Sequence, residues 1–196
     1  MFLPYKDKAI IKLSPQEIMH KITTPLSDDD LKYYLGTDIK KQIITFSDLD
    51  NYESIDDLLP KDRSYKIILI EEEKNRGHWV AIMRYDKVIE YFNSYGTKPT
   101  NDLNFVGQIK NKLLGQSKDL IKSLLDNALH KGYKVIYNTK KFQKLGPNIN
   151  TCGRHICCRL VAMTKLFYDL QEYINYIDQF KKKYNVDSDQ VVAIII

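Results

Sequence analysis

Two hydrophobic periods organise the chain. Residues 66–72 read KIILIEE, and the uninterrupted apolar core at 67–70 predicts a strand inside a sheet. Residues 79–84 and 88–92 predict two further strands. Tyr85, Asp86 and Lys87 join them in a tight antiparallel hairpin. A fourth strand falls at 133–137. Elsewhere the period is helical. Ser14-Pro15-Gln16-Glu17 is a capping box with proline at the first helical position, and it starts a short helix to about Ile22. Ser27 with Asp28, Asp29 and Asp30 opens another through Leu35, the three acids serving the helix N-terminus rather than a metal. Ser54-Ile55-Asp56-Asp57 opens a helical turn that stops near Pro60. Leu120, Ile121, Leu124, Leu125 and Leu129 lie at helical spacing and end at Gly132. A long apolar helix begins at or beside Cys152 and runs to about residue 168, and another covers 171–184. The final Val191-Val192-Ala193-Ile194-Ile195-Ile196 reads as a core strand, too short to span a membrane. The pattern predicts an α+β fold, a small mixed central sheet flanked by helices.

The chain has 196 residues and shows no repeat, linker or low-complexity stretch, so residues 1–196 are read as a single domain. A net charge of +5 permits contact with nucleic acid or acidic surfaces without demanding it. Lysines cluster from Lys110 to Lys144 and at Lys181 to Lys183. No aromatic-interleaved binding motif accompanies them, which favours a solvated surface over a nucleic-acid face. The three cysteines, Cys152, Cys157 and Cys158, crowd one segment and make no disulfide framework, which points to a reducing compartment. Lys6, Asp7 and Lys8 are incompatible with a secretory signal.

Chemistry enters at Cys152. A thiol attacks as the thiolate, and a helix N-terminus favours that anion. Gly153 lets the backbone turn and a substrate approach. The flank Gly146-Pro147-Asn148-Ile149-Asn150-Thr151 is turn-rich and polar, unlike the surroundings of a buried structural thiol. Cys157 and Cys158 lie mid-helix and read as core. His78, between Gly77 and Trp79 at a strand start, is a candidate general base. His155 shares a helix with the thiol, and His20 and His130 read as structural or exposed. Asn93 ends the next strand, and hairpin geometry returns it to His78, where an amide oxygen can fix the imidazole tautomer. It also begins the turn Asn93-Ser94-Tyr95-Gly96. Glu90 competes, but strand parity puts it on the opposite face. Gln143 is a candidate oxyanion donor beside the Cys152 N–H, or else a surface residue in a Lys-rich segment. Cys152, His155, Cys157 and Cys158 lack paired zinc spacing, and no phosphate-cradling loop is present, so no metal or cofactor is expected.

Gly77-His78-Trp79-Val80, Tyr91-Phe92-Asn93-Ser94-Tyr95-Gly96, Phe142-Gln143 and Gly146-Pro147-Asn148 leading to Thr151-Cys152-Gly153 together resemble the adenain-like viral maturation proteases. These belong with the SUMO/ubiquitin-like proteases in one superfamily. The resemblance is strongest to the proteases of virophages of the mavirus type and of Maverick/Polinton elements. It spans about residues 66–160, and Pro25-Leu26-Ser27 onward is similar to the N-terminal part of those enzymes. It implies a papain-like cysteine-protease fold in permuted order, with His78 as base, Asn93 as its orienter, Gln143 in the oxyanion hole, Cys152 as nucleophile, and Trp79 and Gly153 beside the substrate. Adenain carries an acid where this chain has Asn93. Its Gln also lies closer to the Cys, at the slot held here by Leu145.

The implied function is endopeptide cleavage of capsid or core precursors, often after small residues, by a monomer in the virion and the viral factory of the host cytoplasm. There is no membrane partner, and a DNA or peptide activator is left open. On this reading residues 191–196 could also add a strand in cis in place of a separate activating peptide. Two alternatives stand beside it: a ubiquitin- or SUMO-like deconjugating protease with the same site, and a non-catalytic basic virion protein that binds DNA.

Overall fold

The computed structural model describes residues 13–196 apart from 102, 105, 117 and 118. Lys6, Asp7 and Lys8 therefore lie outside the described residues. In chain order the elements are α1 (Pro15–Thr23), α2 (Asp28–Leu35), β1 (Ile43–Thr45), α3 (Ile55–Leu58), β2 (Tyr65–Glu73), β3 (Arg76–Tyr85), β4 (Val88–Phe92), α4 (Gln108–Leu113), α5 (Leu120–His130), β5 (Lys134–Tyr137), α6 (Cys152–Lys165), α7 (Leu170–Tyr184) and α8 (Ser188–Ile195). Short 3-10 helices occur at Thr37–Gln42, Ser47–Asn51 and Pro99–Asn101. The α+β expectation is met. The elements fall into two units, one made by Asp38–Lys141 and the other by the residues up to Thr37 with Phe142–Ile196.

The first of these units holds a five-stranded mixed sheet in the order β1-β2-β3-β4-β5. β2 pairs with β1 in parallel and with β3 antiparallel, so its apolar run is an inner strand, as its sequence predicts. The β3–β4 hairpin closes at the Tyr85↔Val88 pair, leaving Asp86-Lys87 as a two-residue turn. Asp86 sits at φ 51°, the left-handed geometry such turns require. β4 then pairs in parallel with β5. One sheet face presents Ile68, Ile70, Val80, Ile82, Ile89 and Tyr91 to a core shared with Leu124, Leu125 and Ala128 of α5 and with Ile55 and Leu58 of α3. Gly132, at φ 83°, lets the chain leave α5 and enter β5.

The second unit is helical. α8 packs against α1, α6 and α7, and α2 packs against α6. The predicted capping box of Ser14 with Glu17 forms, and Ser27 with Asp30 makes a second, so the acids of α2 do serve its N-terminus.

The chain end corrects the prediction from sequence. Residues 191–196 form neither a core strand nor an added one, because Ser188–Ile195 is a helix. Asp187 accepts from the Gln190 N–H, and the Gln190 side chain reaches back to the Asp187 N–H, at 2.9 Å each. That capping box nucleates the turn, and burial of Val191, Val192, Ala193, Ile194 and Ile196 outweighs the strand preference of β-branched residues. α6 also stops at Lys165, short of 168, with Phe167 at φ 60°. One strand and one α-helix went unpredicted, as did the 3-10 turns. β1 is three residues long, and α4 exposes Ile109 and Leu113, so neither shows a readable stripe. Among the described residues no helix is long and apolar enough to cross a membrane.

Deleting residues 190–196 strips Val191, Val192, Ile194 and Ile196 from the core. At roughly 1.5–3 kcal/mol per side chain, the loss rivals the whole stability of an ordinary domain, about 5–15 kcal/mol. We expect the truncated protein to lose soluble yield and its cooperative thermal transition by circular dichroism.

Candidate active site

His78 and Asn93 meet inside the sheet unit. His78 enters β3 beside Gly77, and Asn93 follows directly on β4. Their hairpin brings the His78 Nε2 and Asn93 Oδ1 to 2.9 Å, with both residues buried. The orientation of the amide is settled by its other contacts. Asn93 Oδ1 accepts the Tyr95 N–H at 2.9 Å, and Nδ2 donates to Thr97 Oγ1 at 2.7 Å. The oxygen therefore faces His78, so Nε2 carries the proton and the lone pair of the neutral ring resides on Nδ1. The Tyr95 ring stacks on the imidazole at 4.5 Å and 16°.

Three features hold this pair. Asn138, just beyond β5, accepts the Asn93 N–H at 2.9 Å and donates to the Asn93 carbonyl at 2.7 Å, a side chain acting as the next rung of the ladder. Gly96, at φ 70°, closes the turn with its N–H on the Asn93 carbonyl, and a Cβ there would lie 2.9 Å from Lys140 and Thr139 backbone atoms. At Gly77 a Cβ would stand 1.9 Å from the Ile70 carbonyl oxygen. The space Gly77 clears is thus for the backbone of β2. Glu90 pairs with Met83 on the other face, and its carboxylate receives the Tyr85 hydroxyl at 2.6 Å. Trp79 follows His78 in β3 and is almost wholly buried.

Cys152 and Gln143 belong to the helical unit. Cys152 is the first residue of α6 and is 8 % exposed. Thr151, at the N-cap, makes no side-chain cap bond, so the N–H groups of the first turn are left uncapped by it. Gly153 is the second residue of the helix and is buried, within the helical turn rather than a tight one. Gln143 is buried too, and its Nε2 donates to the Ile149 carbonyl at 3.0 Å. The loop is moored to the end of α1, where the Asn150 N–H meets the Ile22 carbonyl at 2.8 Å and the Asn150 Nδ2 meets the Thr23 carbonyl at 2.7 Å. Arg154 Nε donates to the Lys21 carbonyl at 2.9 Å.

The other two thiols are inert. Burial pushes Cys157 up to about 12 and Cys158 well above the ordinary thiol value. His155 is fully buried, with its Nε2 3.2 Å from Asp189 Oδ1. Burial lowers its pKa, and the carboxylate offsets only part of that, leaving a neutral ring. For Asp189, burial acts to raise the pKa, but hydrogen bonds from His155, Thr151 and the Lys144 N–H outweigh it and hold the carboxyl below its ordinary value. Asn138, Tyr95, Thr151 and Asp189 were not singled out from sequence. Only the spacing of Tyr95 within the Asn93 turn could have flagged one of them.

No family model matches the chain. An uncharacterized protein, V9, of Sputnik virophage is 34 % identical over 181 residues, covering 92 % of this chain and 98 % of its own. The virophage relationship expected from the motifs is thereby met. Among solved structures, the chain is similar to the SUMO protease Ulp1 with its catalytic cysteine oxidized to a sulfenic acid. The TM-score is 0.39 at 14 % identity, covering 96 % of this chain and 85 % of that one.

The His155–Asp189 pair predicts an acid-side loss of stability. A lowered His pKa means the unfolded chain takes the proton first, so this contribution is present above the ordinary value near about 6.5 and is lost as pH falls below it. The lowered Asp189 acts in the same direction at lower pH. Urea midpoints measured from pH 8 to 5.5 should fall in the wild type and fall less steeply in His155→Gln.

Proposed function

We propose, for a chain that belongs to the family of the Sputnik virophage protein V9, the activity of a cysteine endopeptidase that processes viral capsid or core precursors. The observation that carries this reading is the amide of Asn93. With its oxygen turned to His78 by Tyr95 and Thr97, it gives the imidazole the tautomer a thiol protease requires, Nε2–H and a basic Nδ1. Cys152 at the head of α6 supplies a thiol where the positive end of the helix dipole favours its anion. The adenain-like motifs around both residues support a viral protein substrate, met in the viral factory or the virion by a monomeric enzyme.

In the proposed reaction His78 takes the Cys152 proton at Nδ1. The thiolate attacks the scissile carbonyl carbon, and the oxyanion is held by the Cys152 N–H and the Gln143 amide. Collapse of that intermediate breaks the C–N bond as the imidazolium protonates the leaving amine, leaving a thioester on Cys152. Water then gives a proton to His78 and adds to the thioester. The acid departs and the proton returns to the thiolate. Asn93 keeps the ring oriented through both halves.

Co-expression with the capsid protein of the same virus tests the substrate. We expect processing by the wild type and none by Cys152→Ala, whereas identical processing by both would sink the reading. In the cleavage assay Asn93→Asp should keep substantial activity, because a carboxylate oxygen can still accept from Nε2. Asn93→Ala should lose about 10²-fold or more in kcat, and activity equal to wild type would remove Asn93 from the mechanism. The reading also requires His78 and Cys152 to act together. The rate of Cys152 alkylation by iodoacetamide should persist well below the ordinary thiol pKa of about 8.5, and His78→Ala should abolish that low-pH reactivity.

A further inference from the structure

One carboxylate holds both ends of the loop that separates Gln143 from Cys152. Asp189, in the first turn of α8, is 2 % exposed. Its Oδ2 accepts the N–H of Lys144, the residue after Gln143, at 3.0 Å. Its Oδ1 accepts the hydroxyl of Thr151, the residue before Cys152, and faces His155 Nε2 at 3.2 Å. The neighbouring Asp187 adds a second strap, 2.6 Å from Lys144 Nζ. The Thr151 hydroxyl donates to a carboxylate, a charge-assisted hydrogen bond. That bond also draws the hydroxyl away from the α6 N-terminus, where a threonine would ordinarily cap the first turn.

We infer that Asp189 is a positioning residue. It sets the spacing between Gln143 and Cys152 and keeps the Thr151 side chain off the N–H groups around the thiol. The catalytic consequence rests on the protease reading; the clamp itself does not. Asp189 touches no reacting atom and acts through Thr151 and Lys144.

Replacing Asp189 with Asn leaves one acceptor oxygen for the donors that two now serve. In Asp189→Asn, amide hydrogen exchange across residues 144–151 should accelerate about tenfold or more while residues 156–162 stay protected. The kcat for precursor cleavage should fall at least tenfold, with KM changed less than threefold. Thr151→Val, which deletes the hydroxyl with little change of shape, should reproduce both effects, and Thr151→Ser, which keeps the hydroxyl, should match the wild type in both; this pair decides the matter if Asp189→Asn does not fold. Exchange at 144–151 equal to wild type in the folded variants would overturn the clamp. Faster exchange with unchanged kcat would overturn its role in positioning. A wild type that cleaves no precursor would instead defeat the protease reading, and the exchange data would still decide whether Asp189 holds the loop.

Discussion

Asn93 Oδ1 accepts two donors at 2.9 Å each, the imidazole N–H of His78 and the main-chain N–H of Tyr95. Because Nδ2 is committed to Thr97, the amide cannot flip without losing three hydrogen bonds at once. This constraint reaches outward through the sheet unit. The turn must be tight enough for Gly96 to close it, and the hairpin must keep a two-residue loop so that β3 and β4 stay in register. A slip of one residue would send Asn93 to the opposite face. Asn138 extends the ladder past the end of β5 and holds the Asn93 backbone while its side chain does other work.

The helical unit meets a different demand, which is to present the head of a helix without capping it. Cys152 begins α6, and the residue before it gives its hydroxyl to a carboxylate from another helix. A buried carboxylate is tolerated there because a hydroxyl, a main-chain N–H and a neutral imidazole all satisfy it. The two units thus use opposite strategies. One saturates its amide with local and cross-strand partners, and the other withholds a local partner by means of a distant one.

How far these features are legible in the sequence follows from the range of the interactions. The Ser14–Glu17 capping box, the apolar run of β2 and the turn after Tyr85 are set by residues within a few positions of one another, and they form as read. Asn93 is legible because hairpin geometry alone returns it to His78. Asn138 and Asp189 are not, since each reaches residues 38 or 45 positions away and the types Asn and Asp announce nothing about such partners. The surroundings of Gln143 mislead in another way. Its lysine neighbours suggest a surface residue, whereas the side chain is buried and bonded to Ile149. α8 misleads through composition, because its β-branched run favours a strand until the Asp187–Gln190 cap and the surrounding helices are considered together.

The burial of Cys157 and Cys158 on α6 has a practical corollary. Three sulfurs sit within seven residues, 152 to 158, yet two are sealed into the helical unit and protonated far beyond neutral pH. A thiol-counting dye added to the native chain is therefore denied Cys157 and Cys158, and reaches them only when α6 is released from its neighbours. The sulfurs of this one helix form an intrinsic gauge of how far the helical unit has opened, read without any attached label.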